Sequence, residues 1–198
     1  MASTAAASTT TTPAGSATPT TAAQLKTDID HQLATTAGGT QVGNNVVSYD
    51  NGNVQIVFPE PGSAVASSYN PDARHAKGGV KARLADYQGC PTGVSTYWSC
   101  FYQNKNFGGT RAQFKDCGYL QSFNSYGFAD ETSSWVNTKP MAYVDTQRYN
   151  HAPLWHEKEA RNSSNGHYSY STYVGNADND SAWYLKITVD GAGGSCNS

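Results

Sequence analysis

The sequence predicts a mainly β fold: a Greek-key sandwich of two motifs, preceded by a small α-β-β unit. Residues 127–135 and 175–183 repeat one pattern, in which Gly, Ala, Asp and Ser stand at fixed positions before a Trp. Upstream of the first copy, Tyr102 and Phe107 flank a four-residue polar turn, and Gly109 follows. The chain also holds 13 Tyr and 4 Trp among its Gly, Asn, Ser and Thr residues, a mixture typical of short strands joined by tight turns.

The segment from Tyr102 to Gly109 has the residues that a folded-over hairpin needs. The rings of Tyr102 and Phe107 can pack against each other. Gly109, two residues after Phe107, can take the positive φ that a residue with a β-carbon resists. The residues that follow alternate loosely, which predicts a second strand with Ala112 and Phe114 pointing inward.

The N-terminal part of the chain predicts one helix and one hairpin. Leu25, Ile29 and Leu33 recur every four residues between positions 23 and 35, which indicates a narrow apolar helical face. Residues 41–49 and 53–58 then flank an Asp-Asn-Gly turn, which favours a hairpin. Because this unit has little core of its own, we expect it to dock on the main domain or on a partner.

Composition divides the chain into five parts. Residues 1–23 are a Ser/Thr/Ala/Pro-rich spacer that is expected to be disordered. Residues 24–60 are the α-β-β unit, 61–89 a linker or irregular arm, 90–190 the β domain, and 191–198 a tail with Cys196. The spacer and the cysteines favour a secreted protein, represented here in its mature form without a signal peptide.

Charge and hydropathy argue against two classes of partner. Only 14% of the residues are charged and the net charge is -2, so there is no basic field to hold a phosphate backbone. No apolar run approaches the roughly 20 residues that a membrane helix needs. We therefore expect neither nucleic acid nor a membrane as a partner.

The cysteines form an even set, and their spacing shows no paired ligand pattern of the kind that holds zinc. Two disulfides are the expected outcome. Cys100 and Cys117 could face each other across the first hairpin, which would leave Cys90 for Cys196. The other two pairings remain open.

Catalytic patterns are missing from the sequence. It contains no Gly-x-Ser-x-Gly elbow, no phosphate-cradling loop and no dinucleotide fingerprint. Oxidised cysteines would not serve as nucleophiles. We therefore expect a protein that is not an enzyme and that requires no cofactor.

Several motifs in one order give the chain a family resemblance. They are an opening Cys90-Pro-x-Gly, a second cysteine before the aromatic turn, a third cysteine before Gly118, and a closing Tyr-Gly-Phe followed by Ser-Ser-Trp135. This run resembles the β/γ-crystallin-like bacterial secreted peptidase inhibitors, typified by a Streptomyces metalloproteinase inhibitor. With the second repeat included, the resemblance covers about half of the chain. It implies a two-motif Greek-key sandwich, secretion, and inhibition of an extracellular peptidase, with the metallo class favoured.

The inhibitory surface is expected on exposed loops of this rigid domain. The interval between Cys90 and Cys100 is longer than the family's usual spacing. A second segment, residues 157–173, is rich in Tyr, Ser, Gly and Asn, a composition found in adaptable binding loops. The candidate residues are Val94, Ser95, Thr96, Tyr97, Trp98, Asn165, His167, Tyr168 and Tyr170.

The same resemblance implies two calcium loops, because such domains often bind calcium through paired Asx-Asx-x-x-Ser/Thr-Ser segments. Aligned on the tryptophans, both loops have alanine at the leading Asx position, Ala129 and Ala177, which predicts weaker binding. Oxygen ligands of the type that calcium prefers remain. They are Asp130, Glu131, Ser133, Asp178, Asp180 and Ser181. The alternative is that these side chains cap turns through hydrogen bonds to the backbone.

Two further functions compete with inhibition. One is a calcium-binding structural or envelope-associated module without inhibitory activity. The other is an antimicrobial protein of the killer-toxin type, which the lack of a basic surplus disfavours.

Overall fold

The computed structural model of the protein describes residues 18–69, 86–93, 96–115, 118–139, 142–157 and 168–189. Across these ranges the protein is mainly β, with antiparallel sheets and one α-helix. The predicted C-terminal tail and residues 1–17 of the predicted spacer lie outside them.

The strands are short and are joined by tight turns. In chain order the elements are α1 (Ala22–Thr35), β1 (Thr40–Gly43), β2 (Val46–Tyr49), β3 (Val54–Val57), β4 (Asp86–Tyr87), β5 (Cys90–Gly93), β6 (Thr96–Tyr97), β7 (Ser99–Asn104), β8 (Gly108–Phe114), β9 (Leu120–Ser122), β10 (Ser134–Asn137), β11 (Ala142–Gln147), β12 (Pro153–Glu157), β13 (Ser169–Ser171) and β14 (Tyr184–Val189). Short 3-10 turns lie at Asp50–Gly52, Lys105–Phe107 and Phe123–Tyr126.

Helix α1 begins where Thr21 caps it. The Thr21 hydroxyl accepts a hydrogen bond from the Gln24 backbone N–H at 3.1 Å, which satisfies one of the amides that a helix leaves unpaired in its first turn. Leu25 and Ile29 are buried, on the face that the four-residue period predicted. Within the described ranges, no helix combines the length and the apolar character needed to cross a membrane.

The segment after the helix forms three strands, where the sequence predicted two. The strand expected over residues 41–49 is interrupted at Asn44 and Asn45, so β1 and β2 fold back on each other. Asn45 donates from Nδ2 to the Phe58 carbonyl at 2.7 Å, a side-chain to backbone bond that holds the turn. The hairpin of β2 and β3 turns at Asp50–Gly52, as predicted.

The N-terminal unit docks on the main domain. Strand β3 pairs antiparallel with β8, with Ile56 opposite Ala112. Strands β1 to β3 therefore extend one continuous seven-stranded sheet of order β1-β2-β3-β8-β7-β10-β13.

The seven-stranded sheet exchanges strands with a four-stranded sheet of order β12-β11-β14-β9. Strand β9 leaves its chain neighbours β7, β8 and β10 and pairs with β14. Strand β13 leaves β11, β12 and β14 and pairs with β10. Each run of four strands thus supplies three strands to one sheet and its third strand to the other.

The main hydrophobic core lies between the seven-stranded sheet and a layer formed by α1 and the four-stranded sheet. Phe101, Phe114 and Phe123 are fully buried there and meet edge to face, with ring centroids 4.9 to 5.7 Å apart. Buried residues of α1 and β14 complete this cluster: Leu25, Ile29, Leu185 and Ile187.

The opposite face of the seven-stranded sheet is buried as well. Alternate residues of a strand point to opposite faces, so Cys100 and Tyr102 point away from the main core. With Val136 of β10 they pack against Cys90 and Trp98, all five fully buried. The small sheet β4-β5-β6 therefore covers part of this face and encloses a second core.

A disulfide joins Cys90 to Cys100, with the two Cα atoms 5.9 Å apart. The suggested pairing of Cys100 with Cys117 is therefore wrong. The reason is that Cys100 points toward the covering strand β5, while its neighbour across the hairpin is Gln113. Cys117 and Cys196 lie outside the described residues.

Candidate functional site

The β7–β8 hairpin has the geometry that its sequence predicted. The rings of Tyr102 and Phe107 meet edge to face at 5.4 Å, and Ala112 and Phe114 are fully buried. Gly109 has φ +74°, and a β-carbon there would lie 2.7 Å from the Asn104 side-chain nitrogen. A backbone hydrogen bond from the Asn106 N–H to the Thr172 carbonyl joins the turn to the segment after β13.

Four aromatic residues form a continuous surface beside this hairpin, and we call it the tyrosine surface: Tyr87, Phe107, Tyr168 and Tyr170. The Tyr87 ring lies 5.4 Å from that of Tyr168 and 5.3 Å from that of Tyr170. Phe107 contacts Tyr87 at 6.4 Å and Tyr170 at 6.0 Å. Tyr170 is 51% exposed, and burial and the Tyr170 hydroxyl raise the pKa of Tyr87. Tyr87 and Tyr168 are half-buried and Phe107 is buried, so Tyr170 is the most accessible of the four rings, which are held together by mutual contacts.

Two of the predicted inhibitory residues, Tyr168 and Tyr170, belong to the tyrosine surface. Thr96 and Tyr97 lie in the β5–β6 hairpin of the small sheet, to which Tyr87 also belongs through its pairing with Cys90. The prediction that Trp98 belongs to the inhibitory surface is wrong. Its side chain is fully buried in the second core and is not accessible to a partner. Val94, Ser95, Asn165 and His167 lie outside the described residues.

The two loops predicted to bind calcium are adjacent and are joined through their backbones. The Asp130 N–H donates to the Ala182 carbonyl at 3.0 Å, and the Asp180 N–H donates to the Thr132 carbonyl at 3.2 Å. Asp130 and Asp180 also share a left-handed backbone, with φ of 58° and 52°. This reciprocal pattern makes Asp180 the structural counterpart of Asp130.

The alignment on the tryptophans is therefore displaced by two residues. Strand β10 begins at Ser134 and β14 at Tyr184, so Trp183 occupies the position of Ser133, and Leu185 that of Trp135. Trp135 and Leu185 are both buried in the main core, while Trp183 is half-exposed. The second loop lacks a hydroxyl where the first has Ser133, because the indole stands there.

The acidic side chains of these loops are engaged by neighbouring groups. The Asp130 carboxylate accepts from the Trp183 indole N–H at 2.8 Å. Glu131 accepts from the Gln103 amide at 2.9 Å. Asp178 pairs with the Arg148 guanidinium at 2.8 Å. Of the remaining candidates, Ser133 donates to Asp180 at 3.5 Å, and Ser181 donates to the Asn179 carbonyl at 3.2 Å.

Among these bonds only the one from Ser181 is to the backbone, as the turn-capping alternative requires, and calcium binding stays a prediction. Within the described residues, no group of three or more His, Cys, Asp or Glu side chains is placed to hold a metal ion. Partial burial raises the pKa of Asp180 above its ordinary value of 3.8. The hydrogen bond from Ser133 opposes this increase, and the negative charge of Asp130 adds to it.

Sequence reasoning missed Tyr87 and Arg111. Tyr87 falls in residues 61–89, a stretch without hydrophobic period for which the sequence predicts a linker or irregular arm. Arg111 lies in the second predicted strand of the hairpin, and it is fully buried, donating to the carbonyls of Ala66 at 3.3 Å and Ser67 at 3.0 Å. Arg111 holds the start of the arm against the seven-stranded sheet, and desolvation lowers its pKa. A charged residue at that position carries no sequence signal of burial.

Comparisons with protein-family models, with curated proteins and with solved structures found no match to this chain.

Proposed function

We propose that the protein is a secreted peptidase inhibitor that docks on an extracellular endopeptidase through the tyrosine surface and the adjoining β5–β6 hairpin. The metallo class is the favoured target, as the family resemblance implies. The protein acts by binding and not by catalysis.

The strand exchange supports the β/γ-crystallin-like part of this proposal. Strands β7 to β10 and β11 to β14 are two consecutive Greek-key motifs in this interpretation. The third strand of each crosses into the sheet of the other, through the pairs β9 with β14 and β13 with β10. Strands β1 to β3 and the small sheet are additions to that framework.

The single observation that carries the inhibitory role is the ring packing at the tyrosine surface. Tyr87 contacts both Tyr168 and Tyr170, so residues from two separate parts of the chain pack into one aromatic cluster, from which Tyr170 is 51% exposed. Tyrosines give large contact area at low entropic cost, and a face that is already ordered loses little freedom on docking.

The buried disulfide supports both the rigidity and the secretion. It links Cys90, at the base of the hairpin, to β7, an interior strand of the seven-stranded sheet. Disulfides of this kind persist in oxidising compartments. The base of the hairpin is therefore fixed before docking and adds little to its entropic cost.

The test is a titration of the oxidised protein against a metallo-, a serine and a cysteine endopeptidase, following cleavage of a protein substrate. We expect saturable, stoichiometric inhibition of one class. Tyr170→Ala should raise the inhibition constant by about tenfold or more, which corresponds to roughly 1.4 kcal/mol. Tyr119→Ala is the matched control, because Tyr119 is 49% exposed and lies outside the tyrosine surface.

The possible results separate the proposals. Absence of inhibition in all three classes would refute the inhibitor and direct attention to the calcium module, for which a calcium-dependent rise in Tm is the readout. Inhibition that Tyr170→Ala leaves unchanged would refute the tyrosine surface as the docking site. Killing of competitor cells by the purified protein would instead favour the antimicrobial alternative.

A further inference from the structure

A shallow cleft opens between the β11–β12 turn and the start of β14, apart from the tyrosine surface. Its volume is about 320 Å³, and it is lined by Asp130, Arg148, Tyr149, Asn150, Ser181 and Trp183. This volume is large enough for a small head group, and its lining combines aromatic and charged side chains.

Two rings form a corner in this cleft. Tyr149 is 68% exposed, and its ring meets that of Trp183 at 4.8 Å with an interplanar angle of 71°. The Trp183 indole is held in place because its N–H donates to Asp130 at 2.8 Å. The rings thus offer π surfaces to a ligand, with a carboxylate at their edge.

Asp130 gives the cleft a negative charge. Arg148 also lines the cleft, but its guanidinium is bound to the Asp178 carboxylate at 2.8 Å and to the Ala177 carbonyl at 3.0 Å. Among the described residues, Asp130 forms no salt bridge, and its carboxylate is bound only to the neutral indole. The field of Asp130 reaches its neighbour, since it helps to raise the pKa of Asp180.

We propose that this cleft binds an alkylammonium group, of the size of a trimethylammonium head. Aromatic faces attract cations through the ring quadrupole, and Trp is the strongest of the three aromatic residues in this role. Asp130 supplies the compensating charge. A neutral ligand of the same shape would use the rings but not the carboxylate.

The test compares choline with 3,3-dimethylbutan-1-ol, its neutral isostere, at constant ionic strength because salt screens exposed charges. Binding is followed by the NMR signal of the Trp183 indole N–H, identified by its loss in Trp183→Phe. We expect choline to shift this signal in a saturable way and the neutral isostere to bind at least about threefold more weakly, from the loss of an exposed charge interaction.

Two variants locate the interaction. Asp130→Asn keeps an oxygen that accepts from the indole but removes the charge, and it should weaken choline binding about fivefold. Glu131→Gln is the matched control, since it changes the net charge equally in the next residue, whose carboxylate is bound to Gln103. Tyr149→Leu should weaken binding about threefold through loss of one π face, whereas Tyr149→Phe should retain it.

Other results would overturn the proposal. Equal binding of choline and its isostere would mean that the cleft selects apolar shape and not charge. A shift of the same signal by calcium, with none by choline, would assign the cleft to a metal ion. If Asp130→Asn lowers Tm and obscures the comparison, the two Tyr149 variants still test the proposal. An equal loss of choline binding in Tyr149→Leu and Tyr149→Phe would contradict a π interaction.

Discussion

Removing the Cys90–Cys100 disulfide tests whether the small sheet is anchored as the structure indicates. The change is the double variant Cys90→Ala/Cys100→Ala, which avoids leaving one free thiol in the second core. Both cysteines are fully buried beside Trp98 and Val136.

The expected cost follows from the size of the closed loop. The two cysteines are 10 residues apart in sequence. A crosslink across a loop of that length removes chain entropy from the unfolded state worth about 2.7 kcal/mol at 25 °C. For a chain of 198 residues this corresponds to a decrease in Tm of about 5–10 °C.

The measurement is urea unfolding of the double variant and the wild-type protein under oxidising conditions. Equal m-values would show that both proteins expose the same surface area on unfolding. A loss below about 1 kcal/mol would refute the loop-entropy argument. A variant that is unfolded without urea would also refute it, because the small sheet would then be required for the main fold.

Three further changes test the packing and the electrostatics. Gly109→Ala should lower the free energy of unfolding by more than Gly62→Ala, since both have positive φ but only the first β-carbon would meet neighbours within 4 Å; equal losses in urea titrations would contradict the clash. Phe101→Ala should cost about 3–5 kcal/mol by the same measurement, and a loss below about 1 kcal/mol would show that the cluster is not the core. The folded-state pKa of Asp180 is raised, so its contribution to stability is present at low pH and is lost as pH rises through that pKa. Asp180→Asn should therefore stabilise the protein at neutral pH and have no effect well below pH 3.8, whereas Asp178→Asn, which breaks an ion pair, should destabilise at neutral pH; unfolding across pH checks both.

Local signals in the sequence predicted local structure. The four-residue period of Leu25 and Ile29 predicted a helix, because one helical face must be apolar for the helix to pack. The Asn-Gly pair and Gly109 predicted two turns, because few residues tolerate positive φ. In each case the deciding interaction lies within a few residues along the chain.

The disulfide pairing and the register of the repeat depend on contacts between distant parts of the chain, so the sequence did not predict them. Nothing in the spacing of the cysteines indicates that β5 folds over the outer face of β7, and this placement decides the disulfide. The sequence repeat places Trp135 opposite Trp183, yet the backbone bonds of Asp130 and Asp180 define a different correspondence. A tryptophan can pack in the core or at the surface, so its identity alone did not fix the register.

The strand exchange explains why surfaces on different sheets must be tested in the intact chain. Without β13, strand β10 would have an unpaired edge, and Tyr87 and Phe107 would lose their contacts with the Tyr170 ring. Without β9, strand β14 would have an unpaired edge, and Trp183, whose carbonyl accepts from the Phe123 N–H, would lose that bond. The tyrosine surface and the Asp130 cleft therefore each depend on both runs of four strands, so neither half of the domain alone is expected to retain either site.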